Sequence, residues 1–270
     1  MKYEPWLPTH NDNISHHHPL REFFLLLSGI LVFVALAFWS LGMLVDSAID
    51  YIPPEKEAQL FANVDFNLEF PSEDSSDRQT FLQNLIDGLG RCINLPFPIT
   101  MTVIESDQAN AIALPGGKVM VFSGIFDHVK SENGLTFMLA HELGHFKNRD
   151  HLRGLGRGLV LAALSTVLLG ANSNISQMLA STSEFQGAQY SQSRESQADL
   201  KALHALNCYY GHVGGATELF EVLQEQKGQL DLSMWHYFSS HPELQARIDD
   251  LHRWRVENNF PVSTTKKLKD

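Results

Sequence analysis

The chain is 270 residues long, with 44% hydrophobic and 19% charged side chains and a formal net charge of −11 at pH 7. An acidic chain with no basic stripe argues against nucleic acid as a partner, because phosphate binding needs clustered cations. The apolar content excludes disorder over most of the length. Cys92 and Cys208 are too few for a disulfide framework and form no CxxC metal knuckle.

Residues 1–22 read as a polar tail, and the cluster His16, His17, His18 belongs to that solvated segment. Residues 23–45 (FFLLLSGILVFVALAFWSLGMLV) carry no charge. As a helix this run spans roughly 35 Å, enough for a hydrocarbon core of about 30 Å. It is too long for the apolar core of a cleaved signal, and no small-x-small site precedes Asp46, so a retained transmembrane helix is expected. Lys2 and Arg21 precede it and Lys56 is the only early cation after it. That asymmetry leans toward a cytoplasmic N-terminus and an exported C-terminal domain.

Residues 46–76 read as a juxtamembrane linker, leaving the membrane through Pro53-Pro54 and ending in the acidic loop 71–77. Phe81, Leu82, Leu85, Ile86 and Leu89 fall at helical spacing, which predicts a helix over 77–89. Short β-branched runs predict strands at 99–105, 111–114 and 118–122, the last two around the turn Pro115-Gly116-Gly117. Ser123 is the expected N-cap of a largely helical remainder that runs to Trp254. Residues 258–270 form a polar tail, with the part from Ser263 expected to fray. No internal repeat is present, and the architecture is α+β: a small β-sheet and a helical bundle, 77–257, behind one membrane helix.

The chemistry centres on His141-Glu142-Leu143-Gly144-His145, an HExxH motif. On a helix, Leu135, Met138, Leu139, Leu143 and Phe146 form one apolar stripe. His141 and His145 then lie about 40° apart at its edge, on consecutive turns, where both imidazoles reach one metal. Neutral imidazoles suit Zn²⁺, and Glu142 between them is placed to take a proton from water activated by the metal. A catalytic zinc needs a third protein ligand and an open position. Glu195 and Asp199, at i and i+4 on a second predicted helix, offer it: Glu195 as the ligand, Asp199 accepting the free N–H of a ligand histidine, His141 in the first instance. The alternative for the two carboxylates is a merely solvated helix face.

Four pieces in this order resemble peptidase family M48, a group of zinc metallopeptidases: Asn110-Ala111-Ile112-Ala113-Leu114-Pro115-Gly116-Gly117, then His141–His145, then Glu195-Ser196-Gln197-Ala198-Asp199, then Ser240-His241-Pro242 with Arg247. The resemblance implies a mainly helical, gluzincin-type metallopeptidase domain holding one Zn²⁺ per chain. It implies that His241 donates a hydrogen bond to the oxyanion of the transition state, and that Arg247 steadies the region around it. It also implies that Val119, Met120, Val121 and Phe122 form an edge strand that pairs with an extended substrate. From the residues alone, His241 is equally a helix-start histidine beside Pro242, and Arg247 a surface charge. In one respect the chain departs from the family: Tyr190-Ser191-Gln192 stands where Tyr-Ser-Arg is frequent, with Arg194 as the nearby arginine.

Residues 158–171 are a second apolar stretch, too short to cross a bilayer. A crossing there would also put His145 and Glu195 on opposite sides of the membrane. A buried helix, or one dipping into the bilayer surface, is expected instead. The polar residues 172–194 read as a mobile loop able to cover the cleft. The expected protein is a single-pass zinc endopeptidase of a bacterial inner membrane, its domain exported, acting on polypeptides in quality control of misfolded membrane or envelope proteins. Two alternatives stay open: a non-proteolytic zinc-stabilised scaffold or chaperone, and a latent protease gated by the 172–194 loop or by His241. A homo-oligomer or a regulatory membrane partner is also left open.

Overall fold

The computed structural model describes residues 19–61, 76–169, 191–225, 241 and 244–268. The His16–His18 cluster, Tyr190, most of the 172–194 loop, Ser240 and Pro242 lie outside them. Helix α1 (Pro19–Asp50) contains the apolar run and extends it by a charged last turn. The juxtamembrane segment is structured over α2 (Pro54–Phe61). Helix α3 (Ser76–Ile93) precedes strands β1 (Thr100–Ile104), β2 (Ala111–Leu114) and β3 (Lys118–Phe122). A 3₁₀ turn, Ser123–Asp127, leads to α4 (Glu132–Asn148), α5 (Asp150–Leu169), α6 (Gln192–Tyr210), α7 (Glu218–Glu225) and α8 (Leu244–Glu257).

The sheet runs in the order β1-β3-β2, with β1 parallel and β2 antiparallel to β3. This corrects the expected edge: Val119, Met120, Val121 and Phe122 belong to the central strand, buried and paired on both sides. The two real edges differ. The β1 edge is capped by α3, where the Gln83 amide donates to Ile99 O (2.8 Å) and accepts from Met101 N (2.9 Å). Gln79 does the same to Met101 O (2.7 Å) and Val103 N (3.2 Å). At β2, Phe122 N donates to Asn110 O (2.9 Å), so the antiparallel alternation turns the backbone of Ala111 and Ala113 away from β3. No strand pairs with that edge among the described residues. The hairpin between β2 and β3 needs glycine, since Gly116 and Gly117 sit at φ 83° and 80°.

Helix α4 is buried on every side for four turns, which is why it reads as apolar beyond a single stripe. Its N-cap is Ser131, whose hydroxyl accepts from Gly134 N at 3.0 Å, and not the expected Ser123. Ser123 instead bonds the backbone of Ser106. The tail is not frayed over its described part, which ends at Leu268. Glu132 N donates to Lys266 O (2.9 Å) and Lys266 N to Asn133 Oδ1 (2.8 Å), so the tail closes the orphan end of α4. Helix α6 lies along α4 at a close approach made possible by Gly144, where a Cβ would stand 3.0 Å from the Cα and carbonyl oxygen of Ala198. A disulfide, Cys92–Cys208, ties α3 to α6.

Candidate metal centre

The crossing of α4 and α6 brings the predicted residues together. His141 Nε2 and His145 Nε2 are 3.0 Å apart. Glu195 reaches both, with Oε1 at 3.2 Å from His145 Nε2 and Oε2 at 3.5 Å from His141 Nε2. His241 joins from the segment before α8, its Nδ1 3.2 Å from His141 Nε2 and 3.1 Å from Glu195 Oε1. One ligand atom from each of these four buried residues falls within 4.8 Å of all the others.

The donor set fits a metal ion. Asp199 Oδ1 is 2.8 Å from His141 Nδ1, and Asp150 Oδ2 is 3.0 Å from His145 Nδ1. A carboxylate at each Nδ1 takes that proton as a hydrogen bond and leaves Nε2 as a lone pair. Two such lone pairs and a carboxylate converge on one buried point, an arrangement that calls for a cation.

Taken by themselves, the side chains feel these neighbours strongly. Burial pushes His141 down to about 4, against the pull of Asp199. Burial also opposes charge on His145, but hydrogen bonds to Asp150 and Glu195 outweigh it and raise the imidazole to about 9. For Glu195, burial is overcome by the surrounding histidines, which hold its carboxyl well below the usual range. Asp199 is likewise held low, burial being outweighed by Arg247 and His141. Glu142 goes the other way: burial raises its carboxyl despite the attraction of His241 and His145. Its Oε1 has no hydrogen-bond partner among the described residues and lies 3.5 Å from His241 Nε2. A buried carboxylate with one open oxygen is suited to take up a proton.

Arg247 is drawn fully into the cluster. Its Nη1 is 2.8 Å from Glu195 Oε2, and its Nε and Nη2 each donate to Asp199 at 2.7 Å. Sequence reasoning missed Asp150. It lies five residues after His145, at the start of α5, and asking what fixes the second histidine's Nδ1 would have found it. Arg194 Nε stands 3.4 Å from Asp150 Oδ1, while its Nη2 is 3.7 Å from Asp46 on α1.

A family profile described as Peptidase family M48 matches residues 76–255. The chain is 31% identical over 169 residues to the mitochondrial metalloendopeptidase OMA1 of Schizosaccharomyces pombe, covering 60% of this chain and 48% of that protein. It is 29% identical over 182 residues to the metalloprotease YcaL of Escherichia coli, covering 63% and 67%. With the beta-barrel assembly-enhancing protease of Yersinia pestis it shares 29% identity over 120 residues, 40% of this chain and 25% of that protein. The chain spans about half or less of the length of the OMA1 proteins it matches.

Proposed function

The chain belongs to peptidase family M48, and from that premise we propose that it is a membrane-anchored, zinc-dependent endopeptidase. The observation that carries the reading is the buried convergence of His141, His145 and Glu195 beside Glu142 and His241. His141, His145 and Glu195 would hold one zinc ion, which when bound lowers the pKa of water and polarises a carbonyl. Glu142 takes the proton of the attacking water at Oε1 and passes it to the leaving amine. Asp199 and Asp150 keep the two imidazoles turned inward, and Arg247 clamps Glu195 and Asp199.

The substrate lies extended along β2. One edge of the sheet is closed by Gln79 and Gln83, whereas the backbone of Ala113 on the other is turned outward, beside α4. Pairing to backbone admits many sequences, as a quality-control protease of misfolded membrane or envelope proteins requires. The Cys92–Cys208 disulfide supports an exported domain, since such bonds persist in oxidising compartments.

His241 has two readings. As an oxyanion donor it would work through Nε2, on the Glu142 side. A second reading is favoured by its Nδ1, which stands among the ligand atoms at 3.1–3.2 Å: there His241 would help to hold the metal and so keep the enzyme latent.

Casein degradation by the full chain in nanodiscs, with metal content measured, tests both points. Glu142→Gln should keep its metal and lose about 10³-fold in activity. Equal cleavage by wild type and Glu142→Gln overturns the mechanism, and absence of metal from both overturns the ligand set. A zinc-loaded wild type that cleaves nothing, even after His241→Ala, favours the scaffold or latency through the 172–194 loop, which deletion of that loop separates. His241→Ala lowers activity about 10²-fold if the residue stabilises the oxyanion; a rise assigns it to latency.

A further inference from the structure

Beyond Asp150 at its start, helix α5 plays no part in the proposed peptidase mechanism. It packs antiparallel along α1, with Arg149 donating to Ile49 O, Arg153 to Asp46 O and Arg157 to the Asp46 carboxylate. Further on, a Cβ at Gly156 would meet Val45 Cγ1, and one at Gly42 would meet Arg157 Nε at 3.9 Å. The covered stripe continues up α1 through Val45, Gly42, Ala37 and Val34, all partly or fully shielded on a helix otherwise exposed. Past Arg157 no charge occurs up to Leu169. Yet the part of this run whose side chains are described, up to Leu164, is not buried in the protein: Leu159 is 63% exposed, Leu161 39%, and Ala163 is exposed as well.

We infer that α5 is a second membrane-embedded helix, which enters the bilayer beside α1 from Gly158 onward without crossing it. Three observations support the bilayer as the occupant of this face. First, the exposed face of α5 is continuous with that of α1, whose Phe33, Leu36 and Leu44 are 72%, 57% and 67% exposed. Together they present an apolar surface larger than water-facing proteins tolerate. Second, the charged groups of both helices gather at one level: Asp46 and Asp50 from α1, Arg153 and Arg157 from α5, with Arg194 of α6 on Asp46. Paired ions belong at the interface, and no charged residue lies beyond them on either helix until Glu22. Third, the run from Gly158 to Leu169 is about 18 Å as a helix, well short of the roughly 30 Å needed to cross. The junction of His145 and Glu195 in one cluster requires the chain to return on the side it entered.

The consequence concerns substrate. Asp150, which touches His145, stands only about 10 Å along α5 from Arg157 and the charged belt. The cleft therefore sits at the membrane surface and receives segments of polypeptide that lie next to the bilayer.

The inference rests on α1 being the membrane anchor, and the experiment separates the two. The chain's only cysteines are joined to each other, so single substitutions Leu159→Cys, Ala163→Cys, Leu36→Cys and Val256→Cys each give one free thiol for a nitroxide label in the full chain in nanodiscs. Accessibility to oxygen and to a water-soluble nickel complex is then compared. Val256, exposed on α8, sets the aqueous limit. The expected result is a reversal of preference: oxygen over nickel at Leu36 and Ala163, with Leu159 shallower than Ala163. Nickel preference at Ala163 with oxygen preference at Leu36 overturns the inference and leaves the anchor intact. Nickel preference at both overturns the anchor. Dipolar broadening at Ala163 that vanishes on dilution with unlabelled protein assigns the face to a second copy, and also overturns it.

Discussion

His141 and His145 belong to one motif and converge on one point, yet they are held from opposite directions. His141 is fixed by Asp199, itself clamped by Arg247 in the bundle interior, where the carboxylate is 0% and the guanidinium 3% exposed. His145 is fixed by Asp150 at the α4–α5 junction, backed by Arg194, which is 20% exposed and shared with Asp46 of the apolar helix α1. The same device, a carboxylate on Nδ1 with an arginine behind it, appears once as part of the folded core and once as part of the connection to the proposed anchor α1. Orienting a ligand and stabilising the fold are thus one task on the first side and two separable tasks on the second.

Asp199→Asn breaks the comparison most sharply. It removes the acceptor that turns His141 inward and leaves Arg247 with Glu195 as its only anionic partner among the contacts described. Loss of one member of a buried ion pair costs about 3–5 kcal/mol, and loss of an outer carboxylate lowers metal affinity by about 10–100-fold. Chelator competition and thermal unfolding should both move, affinity toward the upper end of that range.

Asp150→Asn should separate the two effects. His145 loses its acceptor, so zinc affinity falls about tenfold. Arg194 is partly solvated and keeps Asp46, so the melting temperature should shift little. An equal loss of stability in both variants would show that the membrane side is as integral to the core as the bundle side.

The division between the two sides also marks what the sequence makes legible. His141, His145, Glu195 and Asp199 lie at i and i+4 within single helices, so periodicity alone places each pair on one face, and the chemistry of the residue types does the rest. The three strands and α3 were readable for the same local reason. What escaped depends on pairings between distant segments. Strand spacing locates β3 but not its neighbours, so it offers no check on the edge that the family resemblance implies for Val119–Phe122; the parallel partner Thr100–Ile104 closes it. The charged C-terminal residues read as solvated from composition, whereas it is the backbone of Lys266 that caps α4. Ser123 and Ser131 both precede an apolar run, and the 3₁₀ turn between them decides which is the cap. Asp150 lies outside any motif because its partner is reached by a change of helix direction, through Arg149 at φ 62°.

The smallest effect is the most discriminating one for the membrane side. Asp46 carries contacts from Arg153, Arg157 and Arg194, and so joins α1 to α5 and, through Arg194 and Asp150, to His145. Its side chain is 25% exposed, and solvent-accessible ion pairs contribute about 0–1 kcal/mol. Asp46→Asn should therefore change zinc affinity by no more than about twofold, and only at low ionic strength, where the Debye length reaches about 30 Å. Asp150, 3% exposed, is shielded from bulk ions, and its variant should show the same tenfold loss at any salt concentration. Titrating zinc against a chelator at about 10 mM and 1 M salt distinguishes the cases. A salt-independent loss in Asp46→Asn matching that of Asp150→Asn would make the end of α1 a structural part of the metal site, and the asymmetry between the two histidines would vanish.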